Sequence, residues 1–373
     1  LFIVPQILSA DTLRKALVKA YNSSGLLEQN RALLRAADED VAVAASAMRG
    51  VLSWTSRISR QKTQTLSQDA EIAANAANVG LTASITIYDG GQNKYALAAA
   101  KEAVLSTRQA LIGVEQQVLL STVSSFMEVR RSRKTVNLRQ NNVRVIQEEL
   151  RAAKDRFEVG EVTKTDVALA EARLAASKSA LAVAKGERRQ AEESYKQTVG
   201  SLPKKLSAPG RLPKLVNSAA ASKKSAAKHH PDIIAIQHDI KQAEYNMRRA
   251  EGAFRPTVLL SSSLEYTDQE ADEFQRSGII SLSAKGPIYL GGQLPALLRQ
   301  AIARRDAQRS VLHVTLLRLE QEAGSAFALL QMARAGREAS EEQIRASKVA
   351  FEGVREEAKV GARTTLDVLN AEQ

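Results

Sequence analysis

Two short turns hold the most regularly spaced polar residues of the chain. The first reads Val159-Gly160-Glu161-Val162-Thr163-Lys164-Thr165-Asp166-Val167, and the second Val360-Gly361-Ala362-Arg363-Thr364-Thr365-Leu366-Asp367-Val368. In each, an acid follows a Thr by three residues. At that spacing a helix-start Thr and the acid satisfy one another's backbone N–H groups. Gly160 and Gly361 come just before and suit the left-handed conformation that closes a helix. A structural reading accounts for these residues: Gly stops one helix, Thr163 or Thr364 starts the next, and Asp166 or Asp367 caps it; a functional reading of the two acids stands beside it.

Other chemistries find little support. His229, His230, His238 and His313 lack paired carboxylate spacing, so no metal set is expected, and His229-His230-Pro231-Asp232 reads as a helix N-terminus. There is no P-loop, no GxGxxG after a strand and no GxSxG. Gly90-Gly91 and Gly291-Gly292 precede long helices without a following Lys-Ser/Thr, which favours strand-to-helix corners over phosphate loops. The chain has no Cys, which excludes disulfides, thiolate metal sites and a cysteine nucleophile. No enzymatic activity and no cofactor are expected.

The elements that must position these turns are long helices. No proline lies between Pro5 and Pro203. Asn93–Val159 reads as one helix of roughly 100 Å, and Ala296–Lys359 as a second of similar length. Ala100, Val104, Thr107, Leu111, Val114, Val118, Ser121 and Ser125 follow a 4-3 spacing. The spacing resumes in a new phase at Val143, Ile146, Leu150, Ala153 and Phe157, after the basic interruption Arg130–Lys134. Leu312, Leu316, Leu319, Ala323, Ala326, Leu330 and Ala333 carry it in the second helix. Such seams bury against neighbouring helices.

The chain is also duplicated. Tyr88-Asp89-Gly90-Gly91-Gln92 recurs 201 residues later as Tyr289-Leu290-Gly291-Gly292-Gln293, and the two turns above share that offset. Residues 1–201 form a first repeat: a helix, a hairpin at about 51–89, a long helix at about 93–159 and a helix from about 164. Residues 231–373 form a second: a helix, a hairpin at about 257–290, a long helix at about 296–359 and a last helix. Residues 202–230 are a basic, Pro-containing linker. Leu1–Leu8 is apolar but short, at most the tail of a removed signal. Leu366–Gln373 stops inside a helical pattern, as a chain that continues would.

Four segments alternate with period two. Leu52, Trp54 and Ile58 oppose Ser53, Thr55, Arg57 and Ser59. Ala83, Ile85 and Ile87 oppose Thr82, Ser84 and Thr86. Val258, Leu260, Leu264 and Tyr266 oppose Ser261, Ser263, Glu265 and Thr267, while Ile280, Leu282 and Ala284 oppose Ser281, Ser283 and Lys285. That is two hairpins with polar connections at about Ser67–Gly80 and Asp268–Gly278. Two readings stand: membrane-barrel strands, or an amphipathic sheet packed on the chain's own helices in a soluble coiled-coil scaffold. No run of 18 apolar residues exists, so no membrane-spanning helix is expected.

The net charge is +12. Lys204, Lys205, Arg211, Lys214, Lys223, Lys224 and Lys228 carry +7 of it in a linker free of acids and aromatics, so nucleic-acid binding is not expected.

Helix, hairpin, Tyr-x-Gly-Gly, long helix, Val-Gly-x-x-Thr-x-x-Asp-Val and helix, all duplicated, resembles the TolC-like family of outer-membrane factors over almost the whole chain. Gly286-Pro287-Ile288-Tyr289-Leu290-Gly291-Gly292 is similar to that family's entry into the second long helix. In the first repeat Thr86 replaces the usual Pro. Gly361–Gln373 is the most specific match, similar to the subgroup serving type I secretion and tripartite efflux.

The resemblance implies a mainly α fold with a small β part. Three protomers would share one twelve-stranded β-barrel in the outer membrane of a Gram-negative bacterium, above a periplasmic helical tunnel. It implies an exit duct working with a periplasmic adaptor and an inner-membrane ABC or proton-driven transporter. It places the second turn at the tunnel aperture, with acids at the positions of Asp367 and Asn370; here the second acid is missing. Arg363 in one turn facing Asp166 in the other is a candidate gate ion pair. Physics agrees with sharing a barrel. Four strands are too few to close one, since about eight are needed, and open edges are not tolerated in lipid.

Overall fold

A computed structural model describes residues 11–65, 70–210, 213, 215–269 and 273–372. Leu1–Leu8, Arg211, Lys214 and Gln373 lie outside them, as do parts of both expected hairpin connections. In chain order come α1 (Leu13–Ser23), α2 (Gly25–Ser46), β1 (Val51–Thr65), β2 (Ala70–Tyr88), α3 (Gln92–Glu158), α4 (Lys164–Val199), α5 (Ala219–His229), α6 (Pro231–Gly252), β3 (Thr257–Gln269), β4 (Glu273–Lys285), α7 (Gln293–Lys359) and α8 (Thr365–Glu372). The chain is thus mainly α with one four-stranded antiparallel sheet.

Both long helices are present at 67 residues each. α7 begins three residues before the expected Ala296, with Pro295 inside its first turn. Proline costs nothing there, because first-turn N–H groups have no helical partner. The helix expected from His230-Pro231 is α6. His230 is its N-cap, and its Nδ1 accepts from the Asp232 N–H at 3.2 Å. The expected linker holds the short helix α5.

The chain divides into two compact units. One comprises the segments up to Glu28, Gly113–Ala226, and from Glu320 on. Its main core joins Ala16 and Ala20 of α1, Phe126 and Val129 of α3, and Ala191, Tyr195 and Val199 of α4. Small residues on α1 and α4 let these helices approach the Phe126 and Tyr195 rings, which meet tilted at 6.5 Å. Burial pushes the Tyr195 hydroxyl pKa up, and Asp11 adds to the shift. A smaller core packs Leu150 and Ala153 of α3 on Ala170 of α4.

The basic interruption in α3 does not break the helix. Arg133 reaches out of it, donating to Glu192 Oε1 through Nε (3.1 Å) and Nη2 (3.0 Å). It also donates to the carbonyls of Pro203 (2.8 Å) and Lys204 (2.6 Å). One guanidinium fork thereby fastens α3, α4 and the start of the linker.

The other unit comprises Gln29–Ile112 and Ala227–Leu319. Its sheet runs in the order β1-β2-β3-β4, each neighbour antiparallel. The strands are longer than expected. β1 and β2 stay paired to Thr65↔Ala70, and β3 and β4 to Gln269↔Glu273. Most of the stretches read as connections are therefore strand. Helices pack by cross-helix polar contacts. His238 Nδ1 on α6 lies 2.7 Å from Glu102 Oε2 on α3. Arg309 and Arg318 on α7 bond Glu244 and Asp232 on α6.

Candidate functional site: paired turns and an open sheet

The register decides how the four alternating strands combine. Leu52 pairs with Ala83, Ala83 with Ser262, and Ser262 with Ile280. The next row on that face is Trp54, Leu81, Leu264 and Gly278, and another joins Ile85, Leu260 and Leu282. The opposite face carries Ser53, Thr82, Ser263 and Ile279, then Thr55, Gly80, Glu265 and Ser277. Each strand's apolar side thus falls on one common face, and the polar sides on the other.

The apolar face is not covered by the chain's own helices. Trp54 is 73% exposed, Ile58 87% and Leu282 69%. This counts against the second of the two readings, an amphipathic sheet packed on the chain's own helices. Among the described residues β1 and β4 each leave one edge without a partner strand. Among the described residues no helix is long and apolar enough to cross a membrane.

The two turns are built alike. Gly160 and Gly361 have φ of 80° and 78°. Gly160 N–H donates to Phe157 O and Glu161 N–H to Arg156 O; Gly361 N–H donates to Ala358 O and Ala362 N–H to Glu357 O. This is the Schellman closure in both places. The next helix then starts with a reciprocal cap. Asp166 Oδ2 accepts from Thr163 N–H (2.9 Å) and Oγ1 (2.7 Å), while Thr163 Oγ1 accepts from Asp166 N–H (3.3 Å). The Thr364–Asp367 distances are 3.0, 2.8 and 3.2 Å. The Thr163 hydroxyl and then its N–H hold the Asp166 carboxyl below its ordinary pKa. For Asp367 the Thr364 N–H leads, the hydroxyl follows, and Arg363 contributes.

Other residues at the turns have partners that sequence spacing did not reveal. Arg363 Nε donates to Glu357 Oε2 at 2.9 Å. Asp166 is occupied by Thr163, so within one chain the candidate gate pair is not formed. Asn370 Oδ1 accepts from Arg173 Nη2 at 2.6 Å, joining α8 to α4. Arg173 Nη1 is buried without a hydrogen-bond partner. No helical or turn spacing could have flagged a contact across 197 residues. Among the described residues no cluster of His, Asp or Glu is arranged to hold a metal ion.

The corners differ. Gly90-Gly91 link β2 to α3, and Asp89 caps α3, accepting from Gly91 N–H (2.9 Å) and Asn93 N–H (2.7 Å). Pro287, Gly291 and Gly292 link β4 to α7, but Leu290 stands where Asp89 does and supplies no cap.

Solved outer-membrane channels share this architecture. The chain superposes on the CmeC outer membrane channel of Campylobacter jejuni with a TM-score of 0.86 at 18% identity, covering 97% of this chain and 79% of that one. The open state of the Neisseria gonorrhoeae MtrE outer membrane channel matches at 0.82 and 23%, covering 96% and 82%. The fold is that of a TolC-like outer-membrane channel.

The chain itself belongs to the outer membrane efflux protein family, whose description matches residues 16–201 and 223–373. It is 37% identical to the outer membrane efflux protein BepC of Brucella suis over 366 residues, 97% of this chain and 79% of that one. The proteases secretion protein PrtF of Dickeya chrysanthemi is 21% identical, over 69% of this chain and 58% of that one. The family and the BepC relative are outer membrane efflux proteins and not enzymes.

Proposed function

We propose that the chain is one protomer of a trimeric exit duct, carrying type I secretion or multidrug efflux cargo out through the outer membrane. The observation that carries this reading is the sheet: one exposed apolar face and two edges left open among the described residues. β1 and β4 run antiparallel, so β4 of one copy and β1 of the next continue the same antiparallel pattern. Three copies give twelve strands, apolar face to lipid and polar face to the lumen. The long helices form the periplasmic tunnel, and their tips meet a periplasmic adaptor that brings an inner-membrane ABC or proton-driven transporter. Asp367 lines the aperture as a ring of three carboxylates, with Asn370 behind it. The Asp166–Arg363 pair forms between helix pairs when Arg363 leaves Glu357. Purified full-length protein in a planar bilayer is expected to give discrete conductance steps and to run as a trimer in detergent. A clean monomer with native helicity overturns the shared barrel.

A further inference from the structure

The two repeats build the same corner and the same cradle, yet one chain docks only one pair. Around the start of each hairpin a separation of 206 residues relates Ser46 to Gly252, Arg49 to Arg255 and Val51 to Thr257. The backbone turns coincide. Met48 N–H donates to Ala45 O (3.1 Å) and Arg49 N–H to Ser46 O (2.9 Å); Phe254 N–H donates to Glu251 O (3.3 Å) and Arg255 N–H to Gly252 O (3.0 Å). The backbone bonds of the corners coincide as well, although only the first has the Asp89 cap. Gln92 N–H donates to Asp89 O and Tyr95 N–H to Gly91 O, as Gln293 does to Leu290 and Ala296 to Gly292.

The first corner is seated on the second cradle. At Gly90, which has φ of 72°, a Cβ would collide with the Gly252 carbonyl and with Arg255 Cβ. A Cβ at Gly252 would lie 2.9 Å from Gly90 O and 3.0 Å from Gln92 Cγ. The second corner has no such seat. Gly291 and Gly292 have nothing within 4 Å of an added Cβ, Ile288 is 102% exposed and Tyr289 82%. The first cradle, Ser46–Gly50, is exposed along its whole length.

We propose that the second corner, Pro287–Gly292, docks on the first cradle, Ser46–Gly50, of an adjacent copy of this chain. This deepens the shared-barrel reading above and rests on it. Where β4 of one copy lies beside β1 of the next, the corner that follows β4 meets the cradle that precedes β1. The corner after β2 meets the cradle before β3 in the same way within one chain. Tyr289 and Leu290 then bury apolar surface that a single chain leaves in water. Ser46 carries a Cβ where Gly252 has none, so the intermolecular seat is looser by the width of that atom.

Residues 1–373 contain no Cys, so the two introduced thiols are the only ones in this stretch. Full-length protein carrying Arg49→Cys and Leu290→Cys, oxidised in isolated outer membranes, is expected to give covalent dimers and trimers. Their yield should be about tenfold above either single-cysteine control, because disulfides form only where Cβ atoms come within about 3.5–4.5 Å. Adding Ser46→Trp, which is harmless in a single chain because Ser46 is exposed, should remove the cross-links. Trimers in detergent without cross-links overturn the corner docking and leave the shared barrel standing. Monomers alone overturn both.

Discussion

At the residue scale the acids of the turns are held by the backbones and hydroxyls they cap. Asp166 and Asp367 both cap helices, and their hydrogen bonds hold both carboxyls below the ordinary value of about 3.9. A depressed folded pKa means the stabilisation is fully present above the unfolded value and is lost as pH falls through the folded one. Amide protection factors at Thr163–Val167 and Thr364–Val368, with the intrinsic pH dependence of exchange divided out, should therefore be unchanged from pH 7 to 5 and fall below about pH 4. Equal protection at pH 3 and pH 6 would show that these caps are not held by the charge. The Arg173–Asn370 bond gives a second prediction. An acid at 370 meets a guanidinium already 2.6 Å away, and a charge-assisted bond neutralises it. Asn370→Asp alone is expected to leave cation selectivity nearly unchanged. Asn370→Asp with Arg173→Ala should raise it clearly, because three uncompensated carboxylates then join those of Asp367. Selectivity that rises as much in the single variant as in the double would place Arg173 away from the charge.

At the element scale the unit built on α1, α3 and α4 depends on a contact that periodicity hides. Arg130–Lys134 read as a break in the heptad, since charged residues do not suit a buried seam. The structure keeps the helix and spends one of those charges on a partly buried fork: Arg133 to Glu192 and to two linker carbonyls. Arg133→Ala is expected to cost about 1–3 kcal/mol, as hydrogen bonds to charged groups do when a partner is left unpaired. Arg133→Lys should recover only part, because a lysine lacks the fork. Thermal melts and proteolysis at Leu202–Gly210 read both; an unchanged linker cleavage rate in Arg133→Ala would remove Arg133 from this role. The same contrast explains what the sequence made legible. Helix lengths, the repeat offset and the capped turns are local, so spacing carries them. Strand ends were missed because Ala70–Gly80 is Ala- and Asn-rich with little β propensity. Pairing with β1 and β3 extends that stretch as strand regardless. Arg133–Glu192, Arg173–Asn370 and Arg363–Glu357 join residues from different helices or across a turn, and no spacing rule points to them.

At the scale of the whole molecule the barrel proposed above turns one side of the sheet to lipid, and adjacent residues on β2 test which side that is. Alternation within each strand left the environment of its apolar side open; the register adds that all four apolar sides coincide. Leu81 lies in the row with Trp54 and Leu264, and Thr82 in the row with Ser53 and Ser263. Both sit well inside the sheet, one residue apart, so strand propensity and insertion history are nearly matched. An arginine on a lipid-facing barrel position costs about 2–4 kcal/mol near the midplane and much less on the lumen side. Leu81→Arg is therefore expected to reduce folded trimer in the outer membrane sharply. Thr82→Arg should assemble at close to the normal level and instead alter conductance, since three new cations then line the lumen. Heat-modifiable gel mobility of membrane-extracted protein reads assembly, and bilayer recording reads the lumen. If Thr82→Arg abolishes assembly while Leu81→Arg is tolerated, the sheet faces the other way. If both are tolerated without a change in conductance, the strands do not form the membrane wall at all.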